Sequence, residues 1–208
     1  MTEVVDQLPR IFQANPDRLF VRVIQPNMDA LVFHNVLEEG EAASMHEFLD
    51  RAATQVDNYT ANEAAKSFVL TLAAVFERQL SIWATSTRTK DLAKLRGFQE
   101  YLQACAQHGN VDLATDDLGA ELDEMFTVAN VVRHGEGPSC ERLRTMAPAL
   151  WDHTIAEYRD LLPGPSRPSE TLRLRRTDLV RYIRATTRFW GRADPLPMAV
   201  IDPPYWLT

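Results

Sequence analysis

Lysine is nearly missing from this chain of 208 residues: three stand against nineteen arginines, a ratio that reads as a compositional habit of the genome. Cysteine is rarer still. Cys105 and Cys140 lie far apart and in no C-x-x-C arrangement, which disfavours a disulfide scaffold and a zinc knuckle and leaves two small buried hydrophobes. No stretch approaches the ~18 uninterrupted apolar residues of a spanning helix. The opening MTEVVDQLPRIFQ lacks the basic-then-apolar order of a secretory signal. A soluble, cytoplasmic protein without membrane contact is the expectation. The sequence also has no G-x-x-x-x-G-K-[ST], no G-x-G-x-x-G and no G-x-S-x-G, which disfavours nucleoside triphosphate hydrolysis and serine hydrolase chemistry. No H-E-x-x-H includes His46-Glu47, and Asp112, Asp116 and Asp117 lack calcium-loop spacing, so neither a metal nor a cofactor is expected.

Apolar residues make up 45% of the chain, enough for one sizeable core. The net charge of −7 argues against indiscriminate nucleic-acid binding, but it is unevenly spread. Residues 171–192, TLRLRRTDLVRYIRATTRFWGR, hold seven arginines against Asp178; the remainder keeps 15 basic and 28 acidic side chains, a net −13.

Residues 1–40 are the least regular part. Within them RLFVRVIQPNMDALVFHNV has two apolar runs around Gln25-Pro26-Asn27, consistent with two short strands or a strand and a loop. Helical periodicity then takes over. Residues 41–56 read as one amphipathic helix. Thr60-Ala61-Asn62-Glu63 has capping-box form and opens a second, central helix to about Ala84, with Phe68, Leu72, Val75, Phe76, Leu80 and Trp83 on its apolar stripe. Further helices are expected over 90–107, 115–133, after Pro138-Ser139, over 149–162 and over 177–190, with a short strand at TLRLRR. The proline-rich residues 193–208 should be irregular, and Tyr205-Trp206 there could dock on a partner. Short connections between such helices imply an all-α bundle and one domain over 1–208, with 41–192 as its helical body.

The stretch ANVVRHGEGPSCERL (129–143) places Arg133 and His134 at a helix end before two glycines and a proline. At 100° per residue, with Leu118 at zero, the apolar arc spans about 320° to 80° and Arg133 falls near 60°, while Asn130 and His134 fall near 120° and 160°. An arginine in the apolar arc must snorkel or find an acceptor, and Glu77 on the central helix is the expected partner. The functional reading makes this a phosphate site. His134 trades a proton, Arg133 offsets charge, Gly135 and Gly137 admit a close backbone, and free amides near Ser139 favour an anion. Glu136 in the middle opposes it. The plainer reading needs no ligand: basic residues complement a helix C-terminus, glycine ends it and proline starts the next.

FERQL (76–80), ANVVRHGEGPSCERL, Pro148 and DLVRYIRATTRFW (178–190) together resemble bacterial all-helical proteins related to the HEPN superfamily, across roughly residues 60–192. The resemblance implies a helical bundle, a homodimer and a place in toxin–antitoxin or antiviral defence. It also implies either metal-independent ribonuclease activity or a non-catalytic binding role with a cognate protein partner. The superfamily signature separates its arginine and histidine by four to six residues, whereas Arg133 and His134 are adjacent; Asn130, Arg133 and His134 are the positions that carry over. In the last helix Arg181, Arg184 and Arg188 share one side within about 60° by helical geometry. They could form a track for an RNA backbone with help from Tyr182, or answer the acidic remainder of the chain. Phe189-Trp190 on that helix should anchor the core.

Overall fold

The computed structural model describes residues 4–34, 37, 40–87, 95, 97–151 and 154–203. The helices are α1 (Val4–Leu19), α2 (Gln25–Ala30), α3 (Met45–Ser86), α4 (Gly97–His108), α5 (Leu118–His134), α6 (Pro138–Met146) and α7 (Arg176–Ala193). The all-α reading holds, and among the described residues there is no strand.

Both expected β elements are therefore corrected. The valine-rich run at 20–24 is a π-helical turn between α1 and α2, with Phe20 and Ile24 buried four residues apart while Val21 and Val23 face solvent. That is helical spacing, which the β-branched composition conceals. A proline ring in regular α geometry clashes with the carbonyl four residues back, and the π turn lies where Pro26 demands that relief. In TLRLRR, residues 172–175 leave regular structure before α7 begins at Arg176 and alternate as a strand would, with Leu172 and Leu174 buried, but among the described residues no strand pairs with them. Instead Asn62 of α3 supplies the bonds of a ladder: its amide nitrogen donates to Leu172 O (3.0 Å) and its oxygen accepts from Leu174 N–H (2.9 Å). Arg173 N–H donates to Leu150 O at 2.8 Å.

The two helices expected over 41–56 and 60–84 are one helix of 42 residues, about 63 Å long. Its cap is Ser44, whose Oγ accepts from Glu47 N–H (3.2 Å) while Glu47 accepts from Ala43 N–H (2.7 Å). Thr60 therefore caps nothing, and Glu63 bonds Lys66 instead. No glycine or proline interrupts residues 45–86, so the backbone has no reason to break there. The helix expected over 149–162 is reduced to 3₁₀ turns at Pro148–Trp151 and Tyr158–Leu161. The start of the helix expected at 90 and the Tyr205-Trp206 pair lie outside the described residues.

α7 packs against α1, α3 and α5; α4 covers α3, and α6 folds back on α5. One hydrophobic cluster runs from Phe12 to Ala193. Trp190 sits at its centre, edge-on to Phe12 (4.9 Å between centroids), Phe189 (5.0 Å), Trp83 (5.3 Å) and Phe76 (5.8 Å). Its indole N–H donates to Gln79 Oε1 at 2.8 Å, and Gln79 in turn donates to Phe12 O. The anchoring expected of Phe189-Trp190 is thus met. The tail crosses α7 where only glycine fits: a Cβ on Gly191 would stand 2.2 Å from Val200 O. Buried in the same core, the Cys105 thiol is pushed up to about 12 by desolvation, which leaves it inert.

Candidate functional site

α5 remains helical through His134, and Gly135 N–H closes the last turn on Val131 O (2.8 Å). Gly135 then leaves the helix at φ 74° and Gly137 caps α6 at φ 141°, conformations that favour glycine. Pro138 takes the first turn of α6, as its fixed φ suits. Because the turn is intact, Arg133 and His134 stay about 100° apart around the axis, with Asn130 one turn below and between them.

The expected Glu77–Arg133 pair does not form. Arg133 and His134 are both exposed and, among the described residues, neither makes a hydrogen bond or ion pair; Glu77 is half-buried and bonds neither. The arc built on Leu118 fails at this end because the buried side turns: Thr127, Val128 and Val131 are covered where α6 folds back. Around the corner, Ser139 is half-buried, and Glu136 reaches across to accept Ser169 N–H at 2.7 Å. Bonds from Ser169, then the charges of Arg167 and Arg144, hold the Glu136 carboxyl below the usual range. Glu136 is thereby spent on the 165–171 loop.

Sequence reasoning missed Arg144 and Arg167. Both are exposed without an ion pair among the described residues, and the charges of both reach Glu136, two residues beyond His134. Nothing local marks them; the fold assembles them by docking the 165–171 loop against the α5–α6 turn. The corner therefore offers three free guanidiniums against Glu136 and Glu141. Behind it lies a cavity of about 480 Å³ lined by Arg144, Trp151, Asp160, Pro168 and Arg173, and neither Arg133 nor His134 reaches it.

The α7 arginines are differently placed. Arg181 bonds Glu124 (2.6 Å) and Asp178 (3.1 Å), and Arg184 and Arg188 both bond Asp202 (3.2 and 2.8 Å). Arg192 bonds Asp116. Hydrogen bonds from Arg188 and Arg184 hold the Asp202 carboxyl well below the usual carboxylate range. Burial raises Glu121 above the usual range despite the pull of Arg181, Arg188 and Arg184. Tyr182 is no stacking platform: it is fully buried and its hydroxyl donates to Glu124 at 2.7 Å. The row is an internal counter-charge to α5 and to the tail at Asp202. Glu121, which it faces, precedes His134 by thirteen residues, about 20 Å along the axis. No groove gathers all the expected site residues.

Among the described residues no group of His, Cys, Asp and Glu could hold a metal ion, and no helix is long and apolar enough to cross a membrane. No family model, curated protein or solved structure matches this chain.

Proposed function

We propose that the chain is a HEPN-like helical module of bacterial toxin–antitoxin or defence type that binds RNA at the α5–α6 corner without cleaving it. The observation that carries this reading is the contrast between two groups of arginines. Those of α7 are matched by carboxylates, whereas Arg133, Arg144 and Arg167 have none bonded to them among the described residues. Arginines free to neutralise phosphates release the counterions condensed on a nucleic-acid backbone, whereas arginines already bonded to carboxylates do so less, so the corner outranks the α7 row. Cleavage is disfavoured by the intact last turn, which keeps an imidazole and a guanidinium from converging on one phosphate.

Binding of a single-stranded RNA across a salt series tests this. Changing Arg133, Arg144 and Arg167 together to alanine should reduce the slope of log K against log salt by about 2, at roughly 0.7 per phosphate contact. Arg184→Ala should leave it unchanged. An undiminished slope in the triple variant would take RNA away from the corner. RNA incubated in EDTA with parent and His134→Ala protein checks the chemistry: products from the parent alone would restore a metal-independent ribonuclease built on Asn130, Arg133 and His134.

A second reading, a non-enzymatic accessory subunit or homodimer, is favoured by α3. Its first turns expose Met45, Phe48, Leu49 and Val56, spaced to form one apolar stripe. A second copy is the partner we expect there. Its signature is a concentration-dependent dimer mass in light scattering, lost when Phe48 and Leu49 are both changed to glutamate; a parent that stays monomeric at high concentration would end this reading.

A further inference from the structure

A second cavity, of about 530 Å³, opens between the 28–33 segment, α3 and the 173–177 segment, where the chain enters α7. It shares only Thr154 and Arg173 with the cavity behind α6. Met28, Leu31, Phe33, Ala61 and Leu174 form apolar walls, and Asp29 and Arg176 pair at 2.6 Å beside them. Volume and lining suit a small organic ligand, for which an apolar cleft with a few convergent polar groups is the usual design.

The polar groups here are unusual. Glu157 is 1% exposed, and burial raises its carboxyl above the ordinary range against the pull of Arg173 and Lys66. Arg173 bonds Asp160 through Nη2, and its Nη1 stands 3.3 Å from Glu157 Oε2, an ion-pair distance without hydrogen-bond geometry. Glu157 Oε2, Arg173 Nε and Arg173 Nη1 are thus buried with no hydrogen-bond partner. Each such group forfeits the hydrogen bond it would make in water, and native proteins keep few of them. Glu157 and Arg173, which carry this acceptor and these two donors, both line the apolar cleft.

Charge selects what could satisfy them. Arg173 already faces two carboxylates and Arg176 faces Asp29. A carboxylate ligand would crowd Glu157, and an ammonium would crowd Arg173. A neutral head with a donor beside an acceptor meets neither penalty. We propose that this cavity binds a small neutral amide, whose carboxamide donates to Glu157 Oε2 and accepts from Arg173 while its apolar body lies along Met28, Leu31 and Phe33.

Three probes sharing one body separate the possibilities: 4-phenylbutanamide, 4-phenylbutanoate and 4-phenylbutylammonium, titrated into the full chain by calorimetry and amide NMR. The amide should bind at least about tenfold more tightly than either ion, the equivalent of one hydrogen bond to a charged group. The shifted resonances should be those of Asn62, Ala156, Glu157 and Arg173. Phe33→Ala, at an exposed position of the wall, should weaken the amide about threefold to tenfold with helix content unchanged. Glu157→Gln should erase the preference for amide over carboxylate, because glutamine can donate to the latter. Millimolar amide that binds nowhere, three probes that bind alike, or shifts confined to other residues would each overturn the proposal, and the first two hold whether or not Glu157→Gln folds.

Discussion

Trp190→Ala is expected to cost about 3–5 kcal/mol, the range for deleting a large buried aromatic side chain. In a chain of this size that is a fall in Tm of roughly 6–20 °C. The residue is fully buried where α1, α3 and α7 meet, and four aromatic rings lean on it. Its loss opens a cavity that several helices would have to close together, and it orphans Gln79 Oε1. Trp190→Phe separates the two effects: it keeps much of the ring packing and loses the hydrogen bond, for about 1–3 kcal/mol. Denaturant melts followed by circular dichroism measure both. An alanine variant that melts within about 2 °C of the parent would show the aromatic cluster to be peripheral, contrary to the expected scale.

Asn62→Ala is the second large effect, about 2–4 kcal/mol, because it strands a buried carbonyl and a buried N–H at once. The damage should be local before it is global. Hydrogen exchange at the Leu174 amide should speed up far more than exchange in the middle of α5, since that amide's partner is the deleted side chain. Asn62→Asp keeps an acceptor for Leu174 N–H and loses the donor to Leu172 O, so it should protect the amide while still destabilising. Exchange at Leu174 equal to that of the parent in Asn62→Ala would mean that the 172–175 segment is held by its leucines alone.

These two residues show how far the sequence could be read. Trp190 was legible because it shares one helical side with Leu179, Val180 and Ile183, and periodicity within one helix is a local property. Asn62 was not legible: it stands as a spacer inside the Thr60–Glu63 match to a capping box, while its side chain serves a segment 110 positions away. The same distinction explains the candidate site. The end of α5 at Gly135 and the start of α6 at Pro138 follow from backbone preferences of glycine and proline. The exposure of Arg133 did not follow, since an arc drawn on one helix carries no information about which neighbours reach its last turn.

What the sequence by itself determined is the all-helical class, most of the α4–α7 pattern, the core role of Phe189 and Trp190, and the glycine-marked corner after His134. All of these depend on spacing over a few residues, where chain geometry leaves little choice. Only the tertiary structure decided which charges are spent. Arg181 meets Glu124 across 57 positions and Gln13 meets Val200 O across 187, so pairing is set by the docking of whole elements. Electrostatic partnership falls off with distance in space and is indifferent to distance along the chain, which is why the free cations of the corner and the matched ones of α7 look alike until the helices are packed.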